Sequence, residues 1–396
     1  MIRVENLYKI FGGKAEKAKE LLNKGFSKED IFKKTGMTVG VQDASFSVNK
    51  GEIFVIMGLS GSGKSTLVRM LNRLIEPSYG HVFLNGEDIA AMSRERLNQV
   101  RRKDISMVFQ SFALMPHMTV LENAAFGLEM AGVQKQEREE KALSALEQVG
   151  LEAWAANSTG ELSGGMQQRV GLARALAVNP AVMLMDEAFS ALDPLIRSEM
   201  QDELIKLQSK SRRTIIFISH DLDEAMRIGD RIAIMEGGRV VQVGTPEEIL
   251  QNPADDYVRA FFRGVDPTNI LTAGDIARKT QVTIIKHPGD GPKTSIQRLT
   301  SHDRDFGYVL DKDNKYLGVV SVEALQDLSD KGEKDISQGF IEGAASVNTS
   351  DSLQDILPLV AANPWPVPVI NEEGEYKGVI SKNTFLRTLH RGGEQI

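Results

Sequence analysis

The sequence contains no cysteine among its 396 residues, which excludes disulfide bonds and thiolate chemistry and fits a reducing cytoplasm. It also lacks any apolar run of the roughly 18 to 20 residues that a membrane-spanning helix requires. The N-terminal stretch MIRVENLYKIFGG has no apolar core of the kind found in signal peptides. A basic excess is absent too, since the formal net charge is -7, and this argues against a protein that binds nucleic acid. We therefore expect any work on a membrane to pass through a partner.

The rest of the composition is that of ordinary globular domains. Hydrophobic residues make up 41% of the chain and charged residues 26%. The length is sufficient for two or three domains, each able to bury its own core. Function must therefore be sought in local motifs.

The clearest motif is a glycine-rich loop between an apolar strand, 53–57, and a helix. Its residues, GLSGSGKS at 58–65, match the pattern G-x-x-x-x-G-K-[ST] at each fixed position. Glycines let backbone N–H groups close around phosphate oxygens, and the helix start adds its dipole. Lys64 would reach the β- and γ-phosphates, and the Ser65 hydroxyl would ligate magnesium. The sequence thus predicts a nucleoside triphosphate site built from Gly58, Leu59, Ser60, Gly61, Ser62, Gly63, Lys64, Ser65 and Thr66.

Polar residues follow two further apolar strands. The run 182–185 leads into Asp186 and Glu187, and the run 214–218 leads into Ser219 and His220. Beside a phosphate loop, Asp186 would hold magnesium and Glu187 would polarise the attacking water. His220 lies where open α/β sheets bind ligands, although a single histidine is more often structural.

A second glycine turn, ELSGGMQQR at 161–169, resembles the signature of ATP-binding-cassette (ABC) ATPases. The resemblance spans about residues 1 to 260, and its motifs occur in the family's order. It identifies Gln110 as the glutamine-loop residue, 190–193 as the D-loop and His220 as the switch histidine.

The resemblance implies an α/β fold, an ABC-type P-loop ATPase with a helical subdomain at about 111–165. It implies Glu187 as general base and Lys64 and His220 as groups that stabilise γ-phosphate charge. ATP and Mg2+ are the implied cofactors, with Ser65, Gln110 and Asp186 around the metal. Two copies would pair head to tail, so that each signature closes on the ATP of the other copy, through Ser163, Gly164, Gly165, Gln167 and Asp193.

The helical subdomain has apolar residues at helical spacing, namely Ala142, Leu143, Ala145, Leu146 and Val149. The loop before it is unusually apolar at Phe112, Leu114, Met115 and His117. This loop fits either a groove for a permease's coupling helix or a simple buried loop.

The family stacks adenine on an aromatic residue of the first strand region, and Phe11 stands at the expected place, with Tyr8 as the alternative. An insert at about 13–38 departs from most cassettes. It predicts two short helices split at Gly25, with Ser27 and Asp30 as an N-cap pair. We leave its role open between a solvated decoration, regulation and permease contact.

The cassette pattern ends near Gly264, which predicts domains at 1–264 and 265–396. The second domain contains a repeat, at about 268–328 and 340–391, in which Gly318 aligns with Gly378 and Ser321 with Ser381. It resembles a tandem CBS pair, a smaller α/β regulatory module. The copies carry Ala324 and Thr384 where the family's nucleotide-binding copy has an Asp, which puts simple AMP or ATP binding in doubt. A cyclic dinucleotide, a response to ionic strength and dimerisation without ligand stay open.

A cassette with this insert and a CBS pair resembles the ATPase subunit of bacterial glycine betaine/proline betaine importers of the OpuA/ProV type. The resemblance implies import of a quaternary-amine osmoprotectant, a second copy of the chain, permease subunits with a substrate-binding domain or protein, and a place at the cytoplasmic face of the cell membrane. The alternatives are an importer of another small solute or a soluble ABC ATPase acting on nucleic acid. The latter carry long coiled coils before the signature, whereas only about 100 residues separate the two motifs here.

Overall fold

The computed structural model describes residues 1–110, 113–190, 192–262, 268, 271–286 and 291–390. It divides into two compact units, Met1–Ala260 and Phe261–Ile396. The domain boundary expected at residue 264 falls in a stretch, 263–267, outside the described residues.

The first unit mixes strands with helices throughout. Its strands are β1 (Ile2–Phe11), β2 (Thr38–Val48), β3 (Ile53–Met57), β4 (Tyr79–Leu84), β5 (Glu87–Asp88), β6 (Ile105–Phe109), β7 (Val182–Asp186), β8 (Thr214–Ser219), β9 (Arg231–Glu236) and β10 (Arg239–Gly244). Its helices are α1 (Ala15–Asn23), α2 (Lys28–Thr35), α3 (Lys64–Leu71), α4 (Arg94–Lys103), α5 (Val120–Met130), α6 (Lys135–Gln148), α7 (Gly164–Ala177), α8 (Pro194–Ser211), α9 (Leu222–Ile228) and α10 (Pro246–Gln251), and α11 (Asp256–Phe261) follows at the boundary.

A six-stranded sheet in the order β10-β9-β3-β8-β7-β6 carries the predicted motifs. The strands from β9 to β6 pair in parallel, so their carboxyl ends meet at one edge. The register sets Phe109 beside Asp186 and Met57 beside Ser219. The glycine loop, the acidic pair, Gln110 and His220 consequently emerge at that edge, where open α/β sheets bind ligands.

A second sheet, β2-β1-β4-β5, is antiparallel and packs on the first unit's main core. Phe46 of this sheet stacks on Phe54 of the parallel sheet at 5.3 Å between ring centroids. Both rings are buried, as are Leu67 and Val68 of α3 beneath them in the same cluster. Because β1 ends at Phe11, this sheet brings the first-strand aromatic close to α3, the helix that follows the glycine loop.

The helices α5, α6 and α7 pack on one another as the helical subdomain. Of the residues predicted for its core, Ala142, Ala145, Leu146 and Val149 are buried. Leu143 is 44% exposed, so its assignment to the apolar face was wrong, because one residue beyond Ala142 turns it by about 100° around the helix.

The loop that precedes α5 is only partly described. Leu114 and Met115 are half-buried and His117 is exposed. Phe112 lies outside the described residues, so the predicted apolar loop is seen here without one of its members.

The insert forms the two predicted helices, α1 and α2. Gly25 between them has φ +83°, and the Ser27 hydroxyl accepts a hydrogen bond from Asp30 N at 3.1 Å and donates one to the Asp30 carboxylate. Ile31 and Ala18 are fully buried against Val39 and neighbouring residues of the antiparallel sheet. The insert is therefore anchored by an apolar core of its own.

The second unit repeats one motif twice. Its elements are α12 (Ala273–Ile276), β11 (Thr283–Ile285), α13 (Pro292–Ser301), β12 (Phe306–Leu310), β13 (Tyr316–Ser321), α14 (Val322–Asp330), β14 (Val347–Asn348), α15 (Leu353–Ala362), β15 (Val367–Ile370), β16 (Tyr376–Ile380) and α16 (Lys382–His390). Each copy is a three-stranded sheet with one parallel and one antiparallel pair, in the orders β11-β12-β13 and β14-β15-β16.

The two hairpins of this unit share their register. Gly318 lies opposite Val309, and Gly378 lies opposite Val369, each followed by the same irregularity. The copies also share a cluster in which Tyr308 and Tyr376 are buried with ring centroids 5.9 Å apart. The alignment of Gly318 with Gly378 in the sequence is therefore confirmed by their equivalent positions in the two hairpins.

No helix within the described ranges is both long enough and apolar enough to cross a membrane.

Candidate nucleotide-binding site

The glycine loop is held in a conformation that only glycine adopts easily at two positions. Gly58 has φ +150°, and a Cβ added there would lie 2.2 Å from the Met235 carbonyl oxygen. Gly63 has φ +101°, and its Cβ would lie 2.3 Å from the Gly40 carbonyl oxygen. The backbone of the neighbouring strands therefore packs closely against the outer side of the loop, and its inner side is available to a ligand.

Lys64 lies at the start of α3 with its side chain turned back into the loop. Its ammonium group donates hydrogen bonds to the carbonyl oxygens of Gly58 at 2.9 Å and Leu59 at 3.2 Å. Burial lowers the pKa of Lys64, and the charges of Glu187 and Asp186 oppose that shift. The ammonium thus lies inside the phosphate loop and close to the carboxylates of Asp186 and Glu187 at the carboxyl end of β7.

Asp186 is the buried carboxylate of the site. One oxygen accepts a hydrogen bond from the Ser65 hydroxyl at 2.9 Å, and the other accepts from Arg69 Nε at 3.2 Å and Nη2 at 3.0 Å. Sequence reasoning missed Arg69, although Ser65 and Arg69 are four residues apart and so share one face of α3.

The oxygens of Ser65 and Asp186 suit magnesium, which prefers hard oxygen ligands and is usually held by few side chains plus substrate phosphates. The described residues contain no cluster of three or more His, Cys, Asp or Glu side chains placed to hold a metal ion by themselves. Ser65 and Asp186 would accordingly hold the ion together with nucleotide phosphates.

Glu187 and His220 come from adjacent strands and face each other. The nearest approach is 3.5 Å between His220 Nδ1 and Glu187 Oε2, and the Glu187 side chain is 22% exposed. Glu187 has φ +48°, a strained value for this residue type that is found chiefly at functional sites. The structure thus brings an accessible carboxylate and an imidazole together beside the phosphate loop.

Gln110 is connected to the same edge of the sheet through the hydroxyl of Ser190. Its amide donates to Ser190 Oγ at 3.1 Å, and that hydroxyl donates to the Glu187 carbonyl at 2.9 Å. Gln110 is therefore linked to the backbone of Glu187 and does not contact Asp186 by a hydrogen bond. Ala191, within the predicted D-loop, lies outside the described residues.

An open cleft of about 1060 Å³ covers this edge. It is lined by Phe11, Lys28, Glu29, Phe32, Lys33, Thr38, Val39, Gly40, Gly58, Leu59, Ser60, Gly61, Gly63, Lys64, Ser65, Thr66, Glu187 and His220. Phe11 lies in the lining, whereas Tyr8 packs edge-on against Tyr79. Ser62 is buried, with only 4% of the residue exposed, and does not belong to the lining.

One group of cleft residues was not expected from the sequence. Lys28, Glu29, Phe32 and Lys33 all belong to α2 of the insert. No motif marks them, and only the packing of the insert beside the first strand brings them to the cleft.

The predicted signature residues are elsewhere, at the start of α7. The Ser163 hydroxyl accepts a hydrogen bond from Met166 N at 3.3 Å, and a Cβ on Gly165 would lie 2.6 Å from Ile196 Cγ2. Gln167 Nε2 donates to the Leu162 carbonyl at 3.2 Å. Asp193 caps α8 by accepting from Ile196 N at 3.1 Å. Ser163, Gly164, Gly165, Gln167 and Asp193 contribute nothing to the cleft lining of their own chain.

Known proteins match both units. The ABC transporter family matches residues 41–190, and the CBS domain family matches residues 340–391. The solved dimeric structure of MJ0796, a bacterial ABC transporter cassette, aligns with a TM-score of 0.53 and 31% identity over 62% of this chain and 98% of that one. A second structure of that ATP-binding cassette, bound to ADP and Pi in a post-hydrolysis state, aligns with a TM-score of 0.52 and 30% identity.

Two curated relatives match along nearly their whole length. The chain is 59% identical to the glycine betaine/proline betaine transport system ATP-binding protein ProV of Salmonella typhimurium, over 99% of this chain and 98% of that protein. It is 49% identical to the glycine betaine transport ATP-binding protein OpuAA of Bacillus subtilis, over 100% of this chain and 94% of that protein. The chain therefore belongs to the ABC transporter family, among the ATP-binding proteins of glycine betaine transport systems.

Proposed function

We propose that two copies of this chain pair head to tail and hydrolyse ATP at two composite sites. This hydrolysis would drive uptake of a quaternary-amine osmoprotectant, such as glycine betaine, through membrane permease subunits. The observation that carries the proposal is the convergence of Lys64, the Ser65–Asp186 pair and Glu187 at one edge of the parallel sheet.

Each of these side chains has a role suited to its surroundings. When nucleotide enters, the Lys64 ammonium would exchange the two loop carbonyls for β- and γ-phosphate oxygens, because an anionic acceptor binds a cationic donor more strongly than a neutral carbonyl does. Glu187, accessible from the cleft, accepts the proton of the attacking water, and His220 donates to the γ-phosphate. ABC ATPase domains bind nucleotide, usually with Mg2+, and the ion supplies neutralisation of phosphate charge. Ser65 and Asp186 are the residues that would hold it, and Gln110, which bonds to Ser190, is the third predicted ligand.

Pairing of two copies accounts for the signature. Ser163 and the N–H groups of Gly164 and Gly165 open α7, and free N–H groups at a helix start attract anions. They contribute nothing to their own chain's cleft, so the phosphate they bind belongs to a second copy. Asp193, at the start of α8, and Gln167 complete that surface.

Import and membrane attachment rest on the relatives. ProV and OpuAA are named as ATP-binding proteins of betaine transport systems, which supports permease subunits with a substrate-binding domain or protein as partners at the cytoplasmic face of the membrane. The half-buried residues Leu114 and Met115 are the proposed contact for a coupling helix. Acting on nucleic acid is disfavoured by the net charge of -7.

The second unit is proposed to regulate the first, with domains at 1–264 and 265–396. The internal repeat at about 268–328 and 340–391 forms two like sheets, as a tandem CBS module requires. Ala324 and Thr384 stand where the family's nucleotide-binding copy has an Asp, which disfavours AMP or ATP. Of the alternatives left, a cyclic dinucleotide, a response to ionic strength and dimerisation without ligand, we propose the cyclic dinucleotide. Calorimetric titration of the full chain with a cyclic dinucleotide tests this, and a flat titration would reject it.

The nucleotide assignment is tested by Lys64→Ala in the full chain. Removing a buried ammonium that contacts two phosphates should weaken binding of Mg2+ with a non-hydrolysable ATP analogue by at least about 30-fold, measured by titration calorimetry. An unchanged dissociation constant would contradict the phosphate-loop assignment.

A further inference from the structure

One face of the insert helix α2 borders the nucleotide cleft. Lys28 and Phe32 are four residues apart, as are Glu29 and Lys33, so the four side chains share one side of the helix. The opposite side holds Ile31, which is fully buried in the insert's own core. Because that core fixes the helix on the antiparallel sheet, its outer face is presented to the cleft in a defined position.

The Lys28 side chain runs along the backbone that supports the glycine loop. A Cβ placed on Gly238 would lie 3.1 Å from Lys28 Cε and 3.2 Å from Lys28 Nζ, and 2.9 Å from the Gly40 carbonyl oxygen. Gly238 N in turn donates to the Ser62 carbonyl at 3.0 Å. The backbone of Gly238 therefore lies between the Lys28 ammonium and Ser62, which is in the middle of the phosphate loop.

This ammonium has no hydrogen-bond or ion-pair partner among the described residues, unlike Lys64, which has two carbonyl partners. Lys28 is half-buried, and burial lowers its pKa, while the neighbouring charge of Glu29 opposes the shift. A partly desolvated cation beside an anion-binding loop gains free energy when an anion enters, because the cost of desolvation is already present in the free protein.

Phe32 is the second unexplained member of this face. It is 56% exposed, which is high for a large apolar side chain, and it lines the same cleft as Phe11, which is 40% exposed. Two exposed aromatic rings in one cleft provide surfaces on which a purine or a ribose can pack.

We propose that the insert completes the nucleotide site of its own chain, with the Lys28 ammonium on an α- or β-phosphate oxygen and the Phe32 ring against the base or ribose. This rests on the proposed binding of ATP in the cleft and assigns a ligand-binding role to a segment absent from most cassettes. Nucleotide binding would then give α2 two contacts with the ligand.

The test measures the affinity of the full chain for Mg2+ with ADP and with a non-hydrolysable ATP analogue, by titration calorimetry. Lys28→Gln, which removes the charge at nearly constant size, should weaken both ligands by about 5- to 20-fold, because both carry α- and β-phosphates. Lys28→Arg should stay within about threefold of the unmodified chain, since the charge is kept. Phe32→Ala should weaken both by about 3- to 10-fold. The control is Lys17→Gln on α1, an exposed lysine outside the cleft, which should change neither affinity.

The outcomes separate this inference from the proposed function. If Lys64→Ala loses nucleotide while Lys28→Gln and Phe32→Ala bind like the unmodified chain, the role of the insert is overturned and the nucleotide site stands. If Lys64→Ala also binds normally, the nucleotide site itself fails. A Lys28→Gln loss confined to the ATP analogue would place the ammonium at the γ-phosphate and overturn the assignment to the α- and β-phosphates.

Discussion

At the scale of single residues, the two adjacent acids of the site differ in their surroundings. The Asp186 side chain is 6% exposed and has a hydroxyl and a guanidinium on its two oxygens. The Glu187 side chain is 22% exposed, and its carboxylate lies 3.5 Å from the His220 imidazole. A fully held carboxylate suits a structural or metal-holding task, whereas a loosely held one is available to accept a proton.

Glu187→Gln should lower the rate of ATP hydrolysis by about 10²- to 10⁴-fold, because the amide cannot accept the proton of the attacking water. Affinity for ATP should stay close to that of the unmodified chain, since phosphate contacts come from Lys64 and the glycine loop. Rate and affinity are measured by phosphate release and by calorimetry. Glu236→Gln is a matched control, an exposed acid at the carboxyl end of strand β9 in the same sheet. Brisk turnover of the Glu187 variant would remove it from the role of base.

Arg69→Gln should destabilise the nucleotide-free chain by about 1 to 2 kcal/mol, because it leaves the buried Asp186 carboxylate with one partner fewer. We expect a loss in the lower part of the range usual for a broken hydrogen bond to a charged group, because the Arg69 side chain is 46% exposed. Mg2+ with an ATP analogue should reduce the deficit, since the ion compensates the same carboxylate. Thermal unfolding with and without ligand measures both. A deficit of equal size in both states would show that Arg69 and the ion do not share Asp186. Arg96→Gln, which breaks a surface pair with Glu87, should leave the ligand effect unchanged.

At the scale of elements, the strands of the site could be predicted closely from the sequence. The apolar runs 53–57, 182–185 and 214–218 became β3, β7 and β8, with the last two extended by one residue each. A short continuous apolar run between turn residues is typical of a buried parallel strand, so its bounds are marked on both sides. The pairing Ser27–Asp30 at the start of α2 was likewise marked by residue type alone.

Other elements could not be placed by pattern. The cleft face of α2 carries Lys28 and Phe32 beside charged neighbours and reads as a solvated helix, because the sequence does not show what packs against it. The exposure of Leu143 was missed because helical spacing predicts which side of a helix is apolar but not how wide that apolar side is. Contacts between distant segments, such as Arg69 with Asp186, depend on tertiary packing that no local period records.

Gly63→Ala should disrupt the glycine loop and weaken nucleotide binding by at least about 30-fold, because the new Cβ combines an unfavourable φ with a backbone clash. The clash is with the Gly40 carbonyl at 2.3 Å. Gly25→Ala is the matched control: its φ is also positive, at +83°, but nothing lies within 4 Å of its Cβ. The control should lose some stability in thermal unfolding and bind nucleotide normally. Equal affinities for both variants would contradict the tight packing described for the loop.

At the scale of the whole molecule, the chain consists of two units with separate hydrophobic clusters. The first holds a cleft lined by the glycine loop, Lys64, Ser65, Glu187 and His220, and the second contains one sheet motif in two copies. The proposed second copy rests on the absence of Ser163, Gly164 and Gly165 from the cleft of their own chain. A head-to-tail pair supplies it twice by symmetry, because each copy offers one cleft and one signature.

The most direct test of this account mixes two inactive full-length variants. Lys64→Ala should bind nucleotide too weakly to turn it over, and Ser163→Arg should place a bulky cation where the phosphate of the second copy would lie. Neither should hydrolyse ATP alone. Mixed in equal amounts, half of the pairs contain one intact composite site, so the mixture should recover up to about a quarter of the unmodified rate. A mixture no more active than its separate components, or a Ser163→Arg variant active alone, would contradict the composite site.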